Sequence, residues 1–270
     1  MVRPKVVTPQ SHAQVKDLFS SLNYNWETAG EFAPSLLLTS LPPDLDSIPD
    51  IAEKKRIFFL SLLPAALLAN QEIVRQRERL IDLFRRFDEG LELFAEEEEY
   101  INALAREYKI TGDPLAATEI RALLLKRVDI IPPALVLAQA ACESGYGTSR
   151  FSKMGNNIFG EWSFIPGTGM VPRQRPAGAT YEVRRFNTLF ESVRSYINNL
   201  NTHRAYTELR DIRSQLRSAG SALRGDKLAA GLRLYSSQRE RYVNHIRKII
   251  LHNKLFRFSE TQLLFFKLQV

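Results

Sequence analysis

"PALVLAQAACESGYGTSRF" occupies residues 133–151. Its first ten residues hold Ala134, Leu135, Val136, Leu137, Ala138, Ala140 and Ala141, so the segment is apolar on nearly every side. That is the pattern of a helix enclosed by other elements, not of one lying on a surface. Pro132 and Pro133 suit its opening turn, and its small side chains permit close approach by neighbouring helices. Glu143 ends it, and Gly145 and Gly147 let the chain turn away steeply, leaving the carboxyl facing a cleft. Burial and the negative end of the helix dipole both disfavour ionisation there. A carboxylic acid that keeps its proton near neutral pH is what glycosidic cleavage requires for the leaving oxygen. Read from these residues alone, an exposed helix-end glutamate accounts for Glu143 equally well. Cys142 is one helix step of about 100° from Glu143 and reads as a small buried neighbour, not a nucleophile.

Outward from this stretch the chain reads as mainly α. Residues 1–50 look irregular, with the turn-rich "LPPDLDSIPD" at 41–50. From Ile51 to Lys109 the pattern is helical, and Leu80, Leu83, Phe84, Phe87, Leu91 and Phe94 recur at steps of three and four. "RIFFLSLLPAALLAN" (56–70) is the most apolar stretch; it is too short to span a bilayer, Pro64 interrupts it, and a buried core helix is expected. Glu96–Glu99 reads as a solvated helix face. Between Lys109 and Gly145 lie two helices, the first capped by Asp113 with Pro114 in its first turn. Residues 152–185 lose the helical period and are rich in Gly, Pro, Asn and aromatics; alternation at Tyr181, Val183 and Arg185 suits a small β-hairpin lobe. Helices resume at Phe190–Asn201, Ala205–Ala219, Ser221–Gly231 and Arg239–Asn253, the last with Tyr242, Ile246, Ile249 and Ile250 on its apolar face. Ser259 and Gln262 fit a capping box ahead of an apolar tail.

Composition narrows the function. Hydrophobic residues make up 44% of the 270, enough for a substantial core. The net charge of +7 is uneven: residues 1–112 hold 13 Lys+Arg against 18 Asp+Glu, and residues 113–270 hold 24 against 12. A basic second half attracts nucleic acid, anionic membrane or an acidic polymer alike. The single cysteine excludes an intrachain disulfide and a cysteine-rich metal site. No GxxxxGK[ST], no strand-borne GxGxxG, no HExxH and no GxSxG is present, so nucleotide, zinc and serine-hydrolase chemistry lack support and no cofactor or metal is expected. His245 and His252, a heptad apart, read as residues of a surface face. The start lacks the apolar core of a signal peptide, which leaves a cytosolic protein or an export signal already removed.

The longer stretch "LAQAACESGYGTSRFSKMGNNIFGEW" (137–162) resembles the catalytic signature of the bacterial glucosaminidases of glycoside hydrolase family 73. The matching elements are Ala140, Glu143, Ser144, Tyr146, Gly147 and Ser149, followed by Asn156, Asn157, Phe159 and Gly160. Residues 183–206 resemble that family's strand-then-helix segment, and 232–255 its closing helix. The "GMVP…YEVRRF" insert and the long helical front part resemble its Bax-type branch of Gram-negative bacteria. The resemblance implies a lysozyme-like helical domain with a β-lobe over 112–255, preceded by a helical extension (1–111) and followed by a tail (256–270). It implies an endo-β-N-acetylglucosaminidase of peptidoglycan, monomeric, in the periplasm or cell envelope, with glycan strands as its partner and no nucleic acid; a non-catalytic glycan-binding module of the same fold is the alternative.

By the same resemblance Glu143 aligns with the general acid and Tyr235 with an active-site tyrosine, although a core tyrosine at a helix end reads as well. Tyr146 belongs to the signature, and Asn157, Phe159 and Gly160 would line the cleft floor. Trp162, Phe164 and Tyr181 are placed to stack on sugars or to fill the lobe core. The family's second carboxylate has no counterpart in "GTGMVPRQRPAG" (167–178), which holds no acid. Glu161 and Glu182 are the candidates, Glu191 reads as a helix-start residue, and the substrate's own N-acetyl oxygen is a third possibility. Arg173, Arg175, Arg184 and Arg185 flank the lobe and suit the carboxylates of wall peptides.

Overall fold

In the computed structural model, which describes residues 4–176 and 178–265, the apolar stretch 56–70 lies inside the 38-residue helix α2 (Ile51–Asp88). Before it come β1 (Lys5–Val7), α1 (His12–Ser21), β2 (Phe32–Pro34) and β3 (Leu36–Leu38). After it come α3 (Ala95–Glu107), α4 (Thr118–Arg127), α5 (Pro133–Ser144) and α6 (Arg150–Gly155). The lobe strands are β4 (Trp162–Ser163), β5 (Gly169–Met170) and β6 (Glu182–Arg184). Then follow α7 (Leu189–Thr202), α8 (Thr207–Ser218), α9 (Gly225–Leu228), α10 (Glu240–His252) and β7 (Gln262–Leu264). The fold is mainly α with a small sheet lobe, as the periodicity and the resemblance imply.

Pro64 does not break α2. A proline has no N–H, so the carbonyl of Leu60 loses its helix partner; the buried hydroxyl of Tyr24 donates to that carbonyl at 3.0 Å instead. The segment 1–50, expected to be irregular, thus carries a part the helix needs. α1 escaped notice because only Val15 and Phe19 are buried on it, too few positions to set a period. Glu97, read as part of a solvated acidic face, accepts from the Phe94 N–H and pairs with Arg86 at 2.5 Å.

The chain's two ends meet: β2 pairs in parallel with β7, Phe32 opposite Gln262 and Pro34 opposite Leu264. The capping box expected at Ser259 and Gln262 does not form. Leu255–Ser259 is a 3-10 turn, and Gln262 is spent on the strand. One continuous hydrophobic core runs from Val15 and Phe19 through α2 and α5 to Ile250 and Phe258. Described residues of the segments 1–111, 112–255 and 256–270 contribute to this core.

Helix α5 is the centre of this core, buried at every position from Pro133 to Ala141. What fixes its position is the polar segment just ahead of it. Asn70 of α2 donates to the Ile131 carbonyl (2.8 Å) and accepts from its N–H (3.2 Å). Arg213 of α8, 1% exposed, donates to the carbonyls of Lys126, Asp129 and Ile130 and to Asn201 Oδ1. Asn201 of α7 donates to the Asp129 carbonyl at 2.8 Å, and the Asp129 carboxylate pairs with Arg217 at 2.8 Å. A buried loop must have its backbone groups satisfied, and here side chains from three helices satisfy them.

Candidate active site

Helix α5 ends as its sequence requires. Gly145 caps it in the left-handed region (φ 57°), its N–H returning to the Ala141 carbonyl. Ser144 is fully buried: its hydroxyl donates to the Ala140 carbonyl (2.6 Å) and accepts from the Gly147 N–H (2.8 Å). Gly147 has φ 82°, and a Cβ there would lie 2.4 Å from Leu41 Cδ1. This glycine serves close packing under the N-terminal segment as well as the turn. Tyr146, also in the left-handed region, sets its ring 5.8 Å from both Phe58 and Phe59 of α2, with Lys55 over its face. It therefore anchors the turn to α2.

Glu143 projects from this end into an open cavity of about 750 Å³, with Tyr235 and the α10 residues Tyr242 and His245 on its other walls. Tyr242 donates its hydroxyl to Glu143 Oε1 at 2.6 Å. That hydroxyl is itself held by Gln139 Nε2 at 2.8 Å, and Gln139 Oε1 accepts from Tyr196. Gln139 is the polar residue of an otherwise apolar helix stretch and is fully buried. The relay Tyr196–Gln139–Tyr242 thus aims one oxygen of Glu143, whose side chain lines the cavity. Burial pushes the Glu143 carboxyl above the ordinary glutamate range, and the bonds from Tyr242 and Cys142 and the charge of His245 offset that only partly. Cys142 lines the same cavity and bonds to Glu143, so its side chain is not turned away from the acid as the helical step suggested. Its thiol is pushed up to about 12 by burial and then by Glu143, which leaves it inert as a nucleophile.

Tyr235 stacks on Tyr242, rings 5.3 Å apart and 7° from parallel, and donates to the Phe159 carbonyl at 3.2 Å. Through that bond the cavity wall is tied to the lobe's entry. Phe159 is buried and stacked on Tyr196 at 3.8 Å. Asn157 is buried too; its amide donates to the carbonyls of Glu161 and Arg184 at 2.8 Å and accepts from the Glu161 N–H at 2.9 Å. Both are buried at the lobe's entry. Gly160 is exposed with φ 70° and open space around it.

The two second-carboxylate candidates part ways. Glu182 is buried at the base of the lobe, its oxygens accepting from the Gly167 (2.9 Å) and Gly169 (2.7 Å) N–H groups, which hold its carboxyl below the usual range. Both oxygens are occupied in closing the lobe turn. Glu161 keeps one oxygen free. Its Oε2 accepts from Ser195 at 2.7 Å and lies 3.5 Å from Arg184, while its Oε1 is buried with no partner among the described residues. Burial raises its carboxyl as well. The charges of Glu143 and Glu161 both act on Tyr206 and Tyr235. Glu191 is the helix-start residue it was read to be, accepting from the Asn187 N–H at 2.8 Å.

On the lobe surface, Trp162 is 52% and Phe164 76% exposed, with Tyr181 edge-on to Trp162 at 4.8 Å. Arg175 donates to the Tyr181 carbonyl and Arg184 to Ser195, so these two arginines are engaged within the lobe.

Sequence reasoning missed Tyr242, His245 and Gln139. Tyr242 was assigned to the apolar face of its helix, and its hydroxyl is the polar handle that such a position hides. Gln139 carried a legible signal, since a lone amide inside an apolar helix must find a buried partner. Replacing Tyr242 with Phe removes a donor that favours the ionised acid, so Glu143 keeps its proton to higher pH. The alkaline limb of the Tyr242→Phe pH–rate profile is expected to move upward; a limb that stays in place separates Tyr242 from the acid.

A family model described as "Glucosaminidase: Mannosyl-glycoprotein endo-beta-N-acetylglucosaminidase" matches residues 119–255. "Protein bax" of Escherichia coli (strain K12) is 30% identical over 216 residues, which is 80% of this chain and 76% of that protein. No solved structure matches the chain.

Proposed function

The chain belongs to the glucosaminidase family, and from that membership we propose that it is a peptidoglycan hydrolase, an endo-β-N-acetylglucosaminidase acting outside the cytoplasm. The observation that carries the reading is Glu143: a carboxyl at a buried helix end, raised by desolvation, oriented by Tyr242 and open to a cavity. In this reading the strand lies across the cavity, and Glu143 gives its proton to the oxygen of a β-1,4 bond on the reducing side of N-acetylglucosamine. The C–O bond to that leaving oxygen breaks as the sugar ring takes on oxocarbenium character, and a water oxygen finally bonds to the anomeric carbon, its proton replacing the one Glu143 gave up. Glu161 is the second carboxylate of the proposal, since its Oε1 has no partner among the described residues and its charge, like that of Glu143, acts on Tyr235. A buried acceptor left unpaired costs about 1–3 kcal/mol, a cost that a functional site can carry. Trp162 and Phe164 present faces on which sugars stack.

Incubation of isolated sacculi with the purified protein across pH 4–8 is expected to release soluble fragments with new reducing ends. Folded protein that releases none while still binding sacculi supports a glycan-binding module instead. Glu161→Gln is expected to lower kcat by about 10²–10⁴ while leaving the melting temperature within a few degrees; unchanged kcat returns the second role to the substrate's N-acetyl oxygen.

A further inference from the structure

The exposed face of α10 carries Arg241, His245, Lys248 and His252 at successive steps of four, three and four residues. That spacing sets all four on one stripe, about 16 Å long at 1.5 Å per residue. Its first three members line the Glu143 cavity. Its last lines a second, open cavity of about 490 Å³, bordered by Lys55 and Arg56 of α2, by Lys254, and by Trp26 and Phe59. This line of basic side chains therefore leads from the acid to a second concave site, bordered by lysines and an arginine, one turn beyond Lys248.

These cations are unspent. Among the described residues Arg241, Lys248, Lys55, Arg56 and Lys254 form no ion pair, whereas Arg233 pairs with Glu240 and Lys16 with Glu53 nearby. Lys55 instead lies over the Tyr146 ring, 4.9 Å from its centre. Among the described residues no carboxylate lines the second cavity itself, although Arg56 also borders a neighbouring cavity that Glu27, Asp50 and Glu53 line. A concave site of one sign of charge with aromatic walls raises the local concentration of an anion of matching size.

We propose that this second cavity is a subsite for the carboxylates of the peptide stems carried by the glycan, and that the α10 stripe leads the substituted strand to it. The inference rests on the glucosaminidase reading above. With the lactyl carboxyl of each muramic acid capped by its stem, the glycan backbone is neutral and has no use for unpaired cations; the stem peptides, which carry free carboxylates, do. Peptide-bearing strands are then held at two places, the scissile bond at Glu143 and a stem in the basic cavity.

The test measures binding separately from cleavage. Glu143→Gln protein is titrated with glycan strands that keep their peptides, with strands stripped of peptides by an amidase and then amidated at the lactyl carboxylates so freed, and with peptide-bearing strands whose carboxylates have been amidated. Peptide-bearing strands are expected to bind about tenfold more tightly than either of the others. Combining Arg56→Gln, His252→Gln and Lys254→Asn, all at exposed positions, is expected to erase that difference; asparagine suits the left-handed backbone at 254. Equal binding of all three strands by the parent protein, or a preference that survives the triple substitution, overturns the proposal. A preference lost on stripping but kept on amidation overturns the carboxylate as its source. Digestion of both strand types by the protein with Glu143 intact is read independently, so a failed subsite is distinguishable from a failed hydrolase.

Discussion

Glu143→Gln is expected to lower the rate of glycan cleavage by at least 10²–10⁴, the usual contribution of a positioned general acid, with strand binding retained. Glutamine keeps the acceptor oxygen that Tyr242 uses and the volume that the cavity wall holds, so the loss isolates the proton. The same substitution has a stability signature of definite sign. Burial raises the carboxyl of Glu143 in the folded chain, so its contribution to stability is complete below the ordinary glutamate range. That contribution is lost as pH rises through the raised value, because the folded chain must then bury a charge. Glutamine has no charge to bury. The variant should therefore melt higher than the parent at pH 7–8, by about 2–4 °C for each kcal/mol involved, and the gap should close toward pH 4. A variant of undiminished activity removes Glu143 from the role, and a gap that does not depend on pH removes the buried-acid account of it.

Arg213→Met is expected to be the most destabilising single change away from the cavity. The guanidinium is fully enclosed and serves three backbone carbonyls, Asn201 and the Asp129 carboxylate, 3.6 Å away. Methionine fills part of the volume and supplies no donor. The carbonyls ahead of α5 are then left unsatisfied and Asp129 keeps only Arg217 close by, so a loss of about 3–5 kcal/mol follows. For a chain of this size that lowers the melting temperature by about 6–20 °C. Because Arg213 fixes the segment that aims α5, activity measured well below the melting temperature should fall too, through kcat more than KM. Denaturant unfolding checks the first expectation; a loss under 1 kcal/mol would mean that water or backbone shifts replace the donors.

The parts of this architecture that were legible in the sequence are those with a strong local pattern. The apolar run of α5, its glycine cap and the glutamate at its end announce themselves in 133–151, and the loss of helical period over 152–185 marks the lobe, although α6 (Arg150–Gly155) reaches into that range. What was not legible depends on contacts between distant residues. Nothing local to Tyr24 says that it completes a helix at Leu60, and nothing local to Leu263 says that it becomes a strand beside Ala33. Tyr242 and Gln139 are 103 residues apart, and their bond, which orients the acid, exists only once α10 packs on α5. The choice between Glu161 and Glu182 likewise lay outside the sequence. Both sit at plausible distances from Glu143 along the chain; only the fold shows one with both oxygens occupied by lobe backbone and the other with an oxygen unclaimed. Tyr146, Asn157 and Phe159 teach the same lesson from the other side. Their packing of the turn and of the lobe entry exists only in the fold.

Mass spectrometry of the soluble fragments released from purified sacculi tests the central claim most directly. Cleavage with Glu143 as acid at the proposed bond predicts fragments with N-acetylglucosamine at the reducing end, absent from the Glu143→Gln digest. Fragments ending in N-acetylmuramic acid, or in its 1,6-anhydro form, would contradict it.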